Sequence, residues 1–113
     1  MTVWIVVSAI VAGALGALLR YAVTRAVRAP RGVLIVNVAG SLVAGVMLAV
    51  PGDLQYVLVA GFAGGLTTFS TWTVETVQLA IDGKLLAAAG NVLLNLAAGI
   101  AAAVIGYLIA SAL

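Results

Sequence analysis

The 113-residue chain has no cysteine and no histidine. Without cysteine there are no disulfides and no thiolate chemistry, and without either residue the usual soft-metal ligands are gone. Charge is scarce as well. Lys, Arg, Asp and Glu together make 7% of the residues, against about 25% in soluble domains. A water-soluble globule is excluded on that ground. The three acids, Asp53, Glu75 and Asp82, form no catalytic dyad, and no nucleophile stands with a base, so an enzyme is not expected. The net charge of +2 comes from arginines near one loop and does not suggest nucleic-acid binding. Proline occurs only at Pro30 and Pro51, both in turn contexts.

What the chain does have is apolar length, with 65% hydrophobic residues. At roughly 20 residues per crossing, the length holds four spans and little else. The expected fold class is all-α: a polytopic membrane protein with four transmembrane helices in one domain, residues 1–113. The spans are read at about Thr2–Val27, Gly32–Val50, Leu54–Ile81 and Leu85–Leu113, with turns at Pro30, at Pro51-Gly52-Asp53 and at Asp82-Gly83-Lys84. The first run lacks a basic leading region and continues to Arg20, so a cleaved signal peptide is not expected.

The third span is the unusual one. It reads Gly61-Phe62-Ala63-Gly64-Gly65-Leu66-Thr67-Thr68-Phe69-Ser70-Thr71-Trp72, a glycine doublet followed by a run of hydroxyls. Each glycine weakens a helix by roughly 1 kcal/mol against alanine, so a break near the middle is expected at Gly64-Gly65. In hydrocarbon a loosened backbone survives only where protein or a water-filled cavity satisfies it. Close helix packing is the competing use of the doublet. Phe69 and Trp72 share a face, and Thr71 and Glu75 stand at i, i+4. An aromatic pair at this spacing serves core packing or turns its positive ring edges to an anion.

The other spans each carry isolated polar groups. Arg20 follows the small residues Ala9, Gly13, Gly16 and Ala17, and must face protein or snorkel to an interface. Asn37 shares a face with Gly40, Ser41 and Ala44, while Asn91 and Asn95 are one turn apart in the fourth span. Such amides stitch helices together or line a polar path.

The string GFAGGLTTFSTW with Glu75 after it resembles the signature of the small bacterial fluoride channels, the Fluc family, also called CrcB. GALGALLRY and GVLIVNVAGSLVAG are similar to that family's first- and second-helix motifs, so the resemblance covers essentially the whole chain. It implies a passive channel in the bacterial cytoplasmic membrane that exports fluoride and lowers its cytoplasmic concentration. It further implies an antiparallel dimer with two pores, and a structural sodium ion held at the dimer centre by backbone carbonyls, by position those of Gly64 and Gly65. The implied anion pore comprises Asn37, Phe69, Ser70, Thr71, Trp72, Asn91 and Asn95, with Arg20 and Glu75 at the vestibule. Two departures stand out: Trp72 replaces the second family phenylalanine, and Val33 stands where threonine is frequent.

The loops add a separate expectation. Arg25, Arg28, Arg31 and Lys84 fall on one side of the membrane, and no Lys or Arg falls on the side of the termini and second loop. The positive-inside rule then fixes one orientation, termini outside. An antiparallel dimer of one chain needs both orientations, so the partner is either a second copy or a homologous subunit inserted the other way. The rival readings are a small four-helix proton-coupled exporter, which lacks its membrane-embedded carboxylate here, and a purely structural membrane subunit.

Overall fold

The computed structural model describes residues 2–113, leaving Met1 of the single expected domain outside the described residues. Four helices are long and apolar enough to cross a membrane. The first is α1 (Val3–Ala26) and the second α2 (Arg31–Leu48). The third crossing runs through α3 (Asp53–Tyr56), a π-helical segment (Val57–Ala63) and α4 (Gly64–Leu66), leaves helical form over residues 67–69, and resumes as α5 (Ser70–Ile81). The fourth is α6 (Leu85–Ser111). The all-α, four-span architecture with a broken third helix is the one expected.

The break lies three residues beyond its expected position. Gly64 is helical (φ −61°, ψ −40°), and the first extended residue is Thr67 (φ −86°, ψ 157°). The doublet serves proximity instead. A Cβ on Gly65 would strike the backbone of Gly13 in α1, and one on Gly61 would lie 3.0 Å from the Ala9 Cα. Facing them, a Cβ on Gly16 would sit 2.8 Å from the Leu66 nitrogen. Small residues allow this backbone approach in lipid, where van der Waals packing replaces the hydrophobic drive. The same device joins α2 to α6, where a Cβ on Gly106 would meet the Leu42 carbonyl oxygen at 2.7 Å and one on Gly45 would strike Ala103.

The result is two tight pairs, α1 with the first half of the third span and α2 with α6. Past the break, α5 leaves α1 and packs on α6. Few large side chains are enclosed within one chain, Val33 and Val36 being the largest fully buried, while most Leu and Ile side chains face outward. That inversion suits a chain whose solvent is lipid or a second subunit.

Candidate functional site

At the break the chain needs partners for the backbone groups that helix would have satisfied. Asn37, one turn and a half into α2, supplies them. Its Oδ1 accepts from the Thr68 N–H at 2.8 Å and its Nδ2 donates to the Thr68 carbonyl at 3.1 Å. The side-chain amide thus pairs with one residue's backbone as a neighbouring strand would. The Thr68 hydroxyl then caps α5, accepting from the Thr71 N–H at 3.1 Å. It donates onward to the Thr71 hydroxyl, 3.1 Å away, so the Ser70 hydroxyl, 3.4 Å from Thr68 Oγ1, is the donor of that longer contact, and the Thr71 proton has no acceptor among the described residues. On the other side of the break, Thr67 N–H and Oγ1 both return to the Ala63 carbonyl.

The amides form one connected system. The second Asn37 N–H donates to Asn95 Oδ1 at 3.1 Å, and Asn95 Nδ2 donates to the carbonyl oxygen of Asn91 at 2.9 Å and to its Oδ1 at 3.2 Å. Asn91 Nδ2 donates to the Thr76 hydroxyl at 2.9 Å, which passes its proton to the Trp72 carbonyl. Trp72 closes the loop through its indole N–H, 3.1 Å from the Asn91 carbonyl oxygen. Asn91 and Asn95 are buried, and both donors of Asn37 are engaged within the chain. These amides therefore hold α2, α5 and α6 together around the break.

The hydroxyls and the first aromatic are placed differently. Phe69 is 74% exposed and meets Trp72 edge to face, with centroids 5.7 Å apart and planes at 79°. Ser70 and Thr71 are exposed at the same level. Two hollows meet here. A cleft of about 220 Å³ is lined by Ala17, Arg20, Tyr21, Thr24, Thr68 and Thr71. A second, of about 280 Å³, is lined by Asn37, Ser41, Thr67, Thr68, Phe69, Trp72 and Asn95 among others. Thr68, only 7% exposed, is the wall they share. Thr68 is not among the expected site residues, although a threonine three residues ahead of Thr71 at a helix start is a capping signal.

Of the expected site residues, Arg20 and Thr71 thus share one cleft, while Asn37, Phe69, Trp72 and Asn95 share the other. Glu75 lies apart, in a hollow of about 140 Å³ with Ala29, Pro30, Gln78, Leu79 and Asp82. The Thr71 hydroxyl accepts from Thr68, and the buried Oε1 of Glu75 has no hydrogen-bond partner among the described residues. Asn91 sits beneath Trp72 rather than on the second cleft.

A common depth relates these groups. Arg20 stands six residues before the end of α1, Asn37 six after the start of α2, Glu75 six before the end of α5, and Asn91 six after the start of α6. At 1.5 Å per residue that is about 9 Å from one and the same membrane edge. The polar inventory of four helices is concentrated in one half of the membrane thickness.

The family model described as CrcB-like protein, Camphor Resistance (CrcB), matches residues 7–107. The chain belongs to the CrcB family. Proteins similar to this CrcB chain include "Fluoride-specific ion channel FluC" of Syntrophotalea carbinolica, 41% identical over 111 residues, covering 87% of this chain and 90% of that protein. "Fluoride-specific ion channel FluC 1" of Thermobifida fusca is 44% identical, covering 85% and 87% respectively. "Fluoride-specific ion channel FluC 2" of Mycobacterium bovis is 36% identical, covering 97% and 94%. With four membrane-crossing helices and such relatives, the chain is a multi-pass membrane protein of the bacterial cell membrane.

Proposed function

We propose that this chain is the subunit of a passive fluoride channel that lets the ion leave the cytoplasm down its gradient. The observation that carries the reading is the interrupted third span, whose Thr68 backbone is held by Asn37 while Phe69, Ser70 and Thr71 are turned outward. The relatives named as fluoride channels, aligned over nearly the whole chain, supply the ion. Fluoride is small and strongly hydrated, so a pore must replace water with several donors and hold the ion weakly enough to release it. The Thr71 proton is such a donor, Ser70 is a second once it leaves its long 3.4 Å contact with Thr68, and the positive edge of Phe69 adds a weak one. Arg20, in the adjoining cleft, draws anions toward them. Asn37, Asn91, Asn95 and Trp72 position these groups through the connected amides. The deciding measurement is efflux, read with a fluoride electrode, from liposomes that hold the assembled channel with its partner subunit. Fluoride release without matching chloride release is expected; no release, or equal release of chloride, overturns the reading.

The channel is proposed to be an antiparallel dimer. A polar layer confined to one half of the membrane covers the full thickness only when a second subunit brings its own layer from the opposite side. A sodium ion fits where the two would meet. Thr68 N–H, which would close the helix onto the Gly64 carbonyl, goes to Asn37 instead, and the Gly64 and Gly65 carbonyls have no backbone donor from beyond α4 among the described residues. They lie at the negative end of a half-helix, a setting that suits sodium. Bound there, the ion would neutralise the facing carbonyl ends, a structural service.

The partner is proposed to be a homologous subunit of opposite orientation, because Arg25, Arg28, Arg31 and Lys84 crowd one membrane edge. Expressed alone, the chain is expected to give little efflux. Robust transport from this single gene overturns the paired arrangement and leaves the homodimer.

A further inference from the structure

A further hollow adjoins the site above through Asn91 and shares Pro30 and Leu79 with the Glu75 hollow. Between the starts of α2 and α6 and the end of α5 runs a trough of about 300 Å³, lined chiefly by Arg31, Leu34, Leu79, Ala87, Gly90 and Leu94. Its cationic end is at the membrane rim, since Arg31 is the first residue of α2. Lys84 immediately precedes α6, whose residues Ala87, Asn91 and Leu94 line the trough. Ten residues separate Lys84 from Leu94, so the floor descends about 15 Å from the rim into the apolar layer. A charged mouth above an apolar channel of that depth matches an amphiphile lying along the membrane normal.

Charge selects the kind of amphiphile. Arg31 and Lys84 are exposed, and among the described residues neither has a carboxylate within ion-pair distance. Asp82, the acid of the adjoining turn, is held by the Gln78 amide at 3.0 Å. Arg25 and Arg28 lie on the same edge, so its four cations face two acids, Asp82 and the deeper Glu75, whose hollow shares Pro30 and Leu79 with the trough. Such a rim favours a headgroup with net negative charge over a zwitterionic one. The trough also has spare room, because a Cβ added at Gly90 would meet no atom within 4 Å.

We propose that the trough binds an anionic phospholipid, its phosphate against Arg31 and Lys84 and one acyl chain along Leu34, Gly90 and Leu94. The test compares dioleoylphosphatidylglycerol with dioleoylphosphatidylcholine, which shares its chains, on the detergent-purified assembly by native mass spectrometry. The phosphatidylglycerol is expected to be retained at least fivefold better, since each rim cation is worth about 1 kcal/mol, or about fivefold. Arg31→Gln removes about fivefold of that preference, and Gly90→Leu, which fills the trough, lowers retention of both lipids with the assembly mass unchanged. Arg25→Gln, off the trough, changes the preference less than Arg31→Gln does. Equal losses from the two arginine variants would reduce the effect to general surface charge and overturn the site. So would unaltered retention in Gly90→Leu, or a changed assembly mass there, which would show that protein covers the trough.

Discussion

Before the break, the third span packs backbone against backbone; after it, side chain against side chain. In the first half, Gly61 and Gly65 let the chain lie directly on Ala9 and Gly13 of α1, and Ala63 and Leu66 are buried. In the second half no residue of α5 is fully buried, and its hold on α6 is the Trp72 indole bond and the Thr76–Asn91 bond. Close backbone contact fixes a helix because glycine leaves no slack. Hydrogen bonds at a few points fix a direction while leaving the remaining faces open. The first half anchors and the second half presents, and the break at Thr67–Phe69 lets one crossing do both.

The largest effect is expected where a side chain is put at a position at which the anchor tolerates none. Gly65→Val drives its Cβ into the Gly13 backbone, and backbone cannot yield as a side chain does. Overpacking costs about 1–3 kcal/mol even where side chains give way, so the folded protein is expected to be lost, with no monodisperse peak in size-exclusion chromatography and no efflux. Gly64→Val, one residue earlier, is the contrast. Gly64 is exposed, and its added Cβ meets only the carbonyl oxygen of Val59 on its own helix, at 3.6 Å. The expected variant keeps its helical circular dichroism but loses assembly and transport. An active, assembled Gly65→Val protein would show that the first half is no anchor, and an active, assembled Gly64→Val protein would remove the dimer centre from this face.

The next largest effect is expected at the hinge between the halves. Asn37→Leu leaves the Thr68 N–H and C=O without partners, and an unsatisfied buried polar group costs about 1–3 kcal/mol. At about 2 kcal/mol the equilibrium between the ordered and disordered break shifts roughly thirtyfold toward disorder, so efflux is expected to fall while the glycine-packed pairs persist. Assembly that survives with transport lost is the expected pattern. Unchanged transport would mean that Asn37 positions nothing that the ion meets.

These two sites also show what was legible beforehand. The four crossings could be read from apolar runs and turn residues, because lipid imposes a length and a composition on each helix. An interruption in the third could be read too, since glycines and hydroxyls are dense there. Its position could not. A glycine gives freedom to its own backbone or room to someone else's, and only the position of Gly13, far away in sequence, says which applies to Gly65. Asn37 raised a similar ambiguity. As a lone amide within a membrane span it suits either glue or pore, and the choice rests on Thr68 and Asn95, which no local pattern pairs with it. Phe69, Ser70 and Thr71 were legible as a polar and aromatic cluster, whereas the cap by Thr68 that aims them required seeing where the helix restarts.

The finest distinction concerns Trp72, which the comparison assigns to attachment rather than presentation. Its indole N–H is engaged with the Asn91 carbonyl, while its ring supports Phe69 from the side. Trp72→Phe removes the bond and keeps an aromatic ring for the edge-to-face contact. A hydrogen bond of this kind contributes about 1 kcal/mol, so a small drop in thermal stability is expected, with fluoride efflux within about threefold of the starting protein. The Asn91 carbonyl still receives the Asn95 amide, which limits the loss. If the change instead cut transport severely at unaltered stability, the indole itself would be meeting the ion, and the second half would present two aromatic groups instead of one. If stability collapsed, the attachment of α5 to α6 would rest on this single bond far more than the Thr76–Asn91 contact allows.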